Sequence, residues 1–145
     1  MPSSTTNEKG TVVRGLGEIA LCVNDLDAMQ QFYEHVIGLP LMKRFPNSAF
    51  FKIAQGYLSH TQVLALFDRS ESLGYRGANA ETSTLDHIAF EIPLADFEDE
   101  KKRLKGLGLQ VETAEHVWVH WRSLYVSDPE GNQVELVCYD ASVGP

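Results

Sequence analysis

The sequence predicts an α+β fold of two tandem βαβββ modules, and three observations carry that prediction. Two short segments say nearly the same thing, GEIALCV at 17–23 and DHIAFEI at 86–92. Each is followed by an amphipathic stretch of helical period and then by a Gly-Leu exit. Each half closes with three runs rich in β-branched and aromatic residues. A duplicated unit of this kind cannot close its own hydrophobic face, so two copies must pack together, and the groove between them is where chemistry is expected.

In the first half, residues 17–23 read as a strand. Asn24-Asp25 then offers a cap for a helix running to about Val36. Met29, Phe32, Tyr33 and Val36 fall on one stripe at i, i+3, i+4 and i+7, suited to a sheet surface. Gly38 stands where a left-handed C-terminal cap is wanted. LPLMKRFP, AFFKIAQ and TQVLALFD read as the next three strands. Residues 68–84 are polar and aperiodic, a connector with the character of a lid.

The second half repeats the order. DHIAFEI is a strand, and a helix is expected from about Leu94 to Lys105. On its solvated side Glu98 can reach Lys102 and Asp99 can reach Arg103. LQVETAEH, RSLYVSDP and NQVELVCYD complete the strands, with Asp128-Pro129-Glu130-Gly131-Asn132 as the last hairpin turn. The domain is therefore expected over 12–140, with modules at about 12–67 and 85–140. A polar tail is expected at 1–11 and a short one at 141–145.

Alternation sorts the strand faces. Ile19, Leu21 and Val23 with Ile88, Phe90 and Ile92 form an apolar row for the helix side. The opposite row holds Glu18, Ala20 and Cys22 in one copy, and His87, Ala89 and Glu91 in the other. Glu135 and Val137 fall on that same side, with Val134, Leu136 and Cys138 beneath. A charged group among small and apolar neighbours needs a partner, because burying a lone charge is costly. Phe50, Phe51 and Phe67 read as core.

The 145 residues are enough to bury roughly two-thirds of the unfolded chain's surface. The hydrophobic and charged fractions, 43% and 22%, are those of an ordinary globule. Twelve Lys and Arg against twenty Asp and Glu give a charge of −8, which disfavours nucleic acid and anionic lipid as partners. Cys22 and Cys138 read as small buried hydrophobes in a reducing compartment. With no spanning apolar run and no secretory signal, a cytoplasmic protein is expected.

DLDAMQQFYEHVIGLPL, LDHIAF and RSLYVSDPEGNQVELV together resemble the vicinal oxygen chelate superfamily, which includes glyoxalase I, extradiol dioxygenases, fosfomycin-modifying enzymes and bleomycin-resistance proteins. The resemblance covers 17–140. It implies a half-open, cup-shaped barrel built from the paired modules, a homodimer, and one divalent metal. The ligand slots it implies hold Glu18, Ala65, His87 and Glu135 here. Ala65 has no donor atom, so three ligands remain: Glu18, His87 and Glu135. Glu18 stands where relatives most often carry His or Gln, and it can instead pair with an Arg. Two carboxylates and an imidazole favour Mn²⁺, Fe²⁺ or Mg²⁺, with Ni²⁺ and Zn²⁺ also admissible. Open positions on such an ion let two neighbouring substrate oxygens bind and become polarised.

The resemblance also implies that Ser123 and Tyr125 line the substrate pocket, with Tyr125 donating to an oxyanion. Arg122 can clamp an anionic substrate group or form an outward salt bridge. EHVWVHWRS offers His116 or His120 as a base and Trp121 as a stacking surface, or else an aromatic strand edge at a dimer contact. Glu18 is a further candidate for moving protons. The expectation is a metal-dependent lyase, isomerase or ring-opening enzyme acting on a small substrate with adjacent oxygens. The alternative is a metal-free binding protein that sequesters a cationic aromatic compound.

Overall fold

A computed structural model of the protein describes residues 12–79 and 81–144. The expected tail over 1–11 lies outside them. The chain divides into two compact units that part between Glu71 and Ser72.

The first unit holds β1 (Glu18–Val23), α1 (Leu26–Gln31), β2 (Leu41–Phe45), β3 (Ser48–Gln55) and β4 (Thr61–Asp68). Its sheet order is β1-β4-β3-β2, with β1 parallel to β4 and the other pairs antiparallel. The second unit holds β5 (His87–Glu91), α2 (Phe97–Gly106), β6 (Glu112–His116), β7 (Trp121–Ser127) and β8 (Gln133–Tyr139). Its order, β5-β8-β7-β6, repeats the first, again with a single parallel pair. Two tandem βαβββ modules of α+β class are therefore what the chain forms.

Each helix covers one face of its own sheet. Leu26, Met29, Phe32 and Tyr33 are buried together with Ala49, Phe51, Leu64 and Leu66, and the Tyr33 and Phe51 rings meet at 6.4 Å. In the second unit Phe97 and Leu104 from α2 are buried, as are Ile88, Phe90, Leu124, Val134 and Leu136. At roughly 2 kcal/mol for each large apolar side chain removed from water, these rows dominate the stability of each unit.

Several elements differ from expectation in instructive ways. Asp25 caps α1 by accepting from Ala28 N at 3.1 Å, but after Gln31 the helix widens into a π-helical turn over Phe32–Ile37. Gly38 N donates to Tyr33 O five residues back, and Gly38 adopts φ 93. The second helix begins with a 3-10 turn at Leu94–Asp96. Its ion pairs run Glu98–Lys101 and Glu100–Arg103, three residues apart instead of the expected four.

Phe51 is buried, yet Phe50 and Phe67 lie half-buried on the face away from α1. There they form an edge-to-face row with Phe45. Cys138 is buried as expected, whereas Cys22 alternates onto that open face and is exposed. EHVWVHWRS is not a continuous strand. A 3-10 turn at Val117–Val119 and a left-handed His120 (φ 61) break it between β6 and β7. Beyond β8 the chain stays attached through Val143, which is buried. Among the described residues no helix is long and apolar enough to cross a membrane.

Candidate active site

Glu135 is the organising residue of the second unit's open face. It sits in β8 between Ala89 of β5 and Tyr125 of β7, and only 4% of it is exposed. A carboxylate so enclosed must be compensated by hydrogen bonds or charge. Ser123 Oγ, itself fully buried, donates to Oε2 at 2.5 Å. His87 Nε2 lies 3.1 Å from Oε1, and His116 Nε2 lies 3.8 Å from Oε2. The other nitrogen of His87, Nδ1, is 2.7 Å from Asp86 Oδ2. Each ring nitrogen of His87 thus faces a carboxylate oxygen, which fixes the plane of the imidazole.

Tyr125 completes the group. Its ring meets His87 edge-on at 6.4 Å, and its hydroxyl shares a hydrogen bond of 2.9 Å with His116 Nε2. Burial and then the neighbouring Glu135 charge push its ionisation above the ordinary value of 10.0. Tyr125 therefore stays a phenol, able to donate to a developing negative charge.

The local sequence explains why these side chains meet. In WRSLYVS, Trp121, Ser123, Tyr125 and Ser127 share one face. Antiparallel pairing places Ser127 opposite Gln133, Tyr125 opposite Glu135 and Ser123 opposite Val137. His87 enters at the start of β5, beside Gln133. The Asp128 turn holds this register: Oδ1 accepts from Glu130 N and Asn132 N at 2.9 and 3.0 Å, and Oδ2 accepts from Asn132 Nδ2 at 2.9 Å.

Other expected site residues lie elsewhere. Arg122 alternates to the helix side, where Nε and Nη2 both bind Asp140 Oδ2 at 3.0 Å and Nη1 binds Glu115 at 3.0 Å. Its guanidinium lies over the Phe97 ring, so the salt bridge, not the substrate clamp, describes it. His120 is turned toward the chain end, with Nδ1 2.6 Å from Val143 O. Trp121 shares the Glu135 face by register, opposite Tyr139, and is 41% exposed. In the first unit, Glu18 opens β1 on the face away from α1 and is exposed. Ala65 pairs with Ala20 and is fully buried.

The registers match the two modules slot for slot. Glu18 stands two residues before the Ala20–Ala65 pair, as His87 stands two before the Ala89–Glu135 pair. Asp86 went unnoticed in the sequence, although its signal is plain: a carboxylate directly preceding a strand-opening His. His87 Nε2 and Glu135 Oε1 supply one imidazole nitrogen and one carboxylate oxygen close together, a donor pair that suits a divalent cation. No cluster of three or more His, Cys, Asp or Glu suited to a metal ion occurs among the described residues.

A family model described as the Glyoxalase/Bleomycin resistance protein/Dioxygenase superfamily matches residues 15–136. The chain is 33% identical over 127 residues to biphenyl-2,3-diol 1,2-dioxygenase 3 of Rhodococcus globerulus, covering 87% of this chain and 64% of that protein's length. It is 26% identical over 129 residues to the glutathione transferase FosA of Serratia marcescens, covering 86% and 81%. Its structure resembles the crystal structure of lactoylglutathione lyase from Agrobacterium tumefaciens with a TM-score of 0.64 and 31% identity, covering 88% and 96%.

Proposed function

The chain belongs to the Glyoxalase/Bleomycin resistance protein/Dioxygenase superfamily, and we propose that it is a divalent-metal-dependent enzyme of that superfamily. Its substrate is a small molecule with adjacent oxygens, and its reaction is of lyase, isomerase or ring-opening type. The observation that carries this reading is the approach of His87 Nε2 to Glu135 Oε1 with the Tyr125 phenol alongside. One relative is named for a 2,3-diol, whose oxygens are vicinal.

His87 and Glu135 would hold the ion. When bound, a divalent cation supplies Lewis-acid polarisation of a substrate oxygen. The protein side chains do the rest. Ser123 donates to Oε2 of Glu135, so Oε1, which faces His87 Nε2 at 3.1 Å, is the oxygen that would turn toward a cation. Asp86 aims the His87 ring. Tyr125 donates its hydroxyl proton in a hydrogen bond to the substrate oxygen that gains charge, and His116, 2.9 Å from that hydroxyl, takes up or returns a proton there. We assign the protein to the cytoplasm and to a homodimer.

The second reading is metal-free sequestration of a cationic aromatic compound, favoured by the exposure of Trp118 and Trp121. Elemental analysis after incubation with Mn²⁺ or Fe²⁺ separates the two. The enzymatic reading expects about one ion per chain, lost in His87→Ala. Full occupancy retained in His87→Ala rejects it.

A further inference from the structure

Beside the Glu135 network lies a cavity that no assignment above uses. It measures about 250 Å³ and is lined by Gln110, Glu112, Tyr125, Val126, Ser127 and Gln133. Glu112 stands opposite Tyr125, Ser127 stands opposite Gln133, and Gln133 lies beside His87. Paired residues project to the same side of a sheet, so these polar side chains share the face of Glu135, at the end where β5 begins. Tyr125 belongs to both places. Its hydroxyl meets His116, and the residue also walls the cavity.

The charge of this cavity is one-sided. Among the described residues Glu112 is its only acidic wall, and the hydrogen bond from Gln110 Nε2 at 3.2 Å leaves that carboxylate acceptor capacity. No described Lys or Arg lines it. Across all of β5–β8 the single Lys or Arg is Arg122, which lies on the opposite face between Asp140 and Glu115. An anionic arm entering here meets a carboxylate and no cation, whereas an ammonium meets a carboxylate, two amide side chains and a hydroxyl.

We propose that this cavity is a specificity subsite for a protonated amine carried by the substrate, a short reach from the oxygen that meets Tyr125. The proposal rests on Tyr125 touching substrate, as in the function given above. It makes Glu112 the residue that selects ammonium-bearing substrates over carboxylates and phosphonates.

The test uses the full chain and three catechols that share one ring and differ in the charge of its substituent: dopamine, dihydroxyphenylacetate and methylcatechol. Affinities come from calorimetry with and without Mn²⁺, and location comes from the backbone amide shifts of Gln110, Glu112, Ser127 and Gln133. Dopamine should bind about tenfold or more tighter than dihydroxyphenylacetate and shift those amides. Glu112→Gln should shrink the ratio to about twofold and leave methylcatechol unchanged. Glu115→Gln makes the same charge change on the same strand but on the opposite face, so it should keep the ratio. Equal binding of the two charged catechols, a ratio indifferent to Glu112→Gln, equal sensitivity to Glu115→Gln, or silent amides in the cavity each overturn the subsite. Dopamine selectivity that persists in His87→Ala, while wild type takes up no Mn²⁺, upholds the subsite and rejects metal dependence instead.

Discussion

Glu135 shows what one enclosed carboxylate demands of its neighbours: a buried serine, an imidazole and a phenol converge on it. Glu135→Gln keeps the shape but removes the charge. Mn²⁺ affinity measured by calorimetry should fall by about 100-fold or more, since a ligand is lost and not merely its support. Tyr125 reports the same change independently. With the Glu135 charge gone, its ultraviolet phenolate titration should move down toward the ordinary value of 10.0. The sign for stability follows from where the proton sits. Above about pH 10 the unfolded chain releases this proton while the folded chain retains it, so stability falls as pH rises through that range. Tyr125→Phe should flatten that alkaline loss in denaturant titrations. His87 and Glu135 were legible in the sequence because the repeat and the closing hairpin mark their strands. Arg122 was left open between substrate clamp and salt bridge, and only its contacts with Asp140 and Glu115 decide for the second. Glu112 was not legible, because only the β6–β7 register brings it opposite Tyr125.

At the scale of single elements, the strands followed their alternation closely and the helix ends did not. Periodicity locates a helix but says little about whether it tightens or widens, and both helices change pitch at one end. Gly38 closes the π-turn at φ 93 with open space where a Cβ would stand. Gly38→Ala should therefore cost about 1 kcal/mol through backbone strain alone, seen as a lower Tm with an unchanged fold. The link between β7 and the chain end is electrostatic. Hydrogen bonds from Ser142, and then from Arg122, hold the Asp140 carboxyl below its ordinary value of 3.8. A carboxylate lowered on folding stabilises above its unfolded value and loses that contribution as pH falls below it. Asp140→Asn should reduce stability at neutral pH and blunt the acid loss below about pH 4, read by urea midpoints across pH.

Over the whole chain, two sheets share one strand order and one parallel pair each. That plan was visible in the sequence because duplicated openings, helices and exits fall in the same succession. What the duplication could not show was how differently the two open faces are furnished. The first carries a row of Phe45, Phe50 and Phe67, and the second carries Glu135 and its polar partners. The proposed homodimer should sediment at twice the chain mass. Trp118, 84% exposed in the turn between β6 and β7, is the side chain whose change to Ser should shift that equilibrium toward monomer.

The matched registers of the two modules have a practical corollary. Every position that matters in one half has a twin in the other: Ala65 for Glu135, Glu18 for His87. A carboxylate grafted at Ala65 would arrive between Phe50 and Ala20, with Ser48 in the slot of Ser123 but a phenyl ring and the carboxylate of Glu18 in those of Tyr125 and His87. The polypeptide thus carries its own internal control, in which the same backbone shows what Glu135 would be without its company.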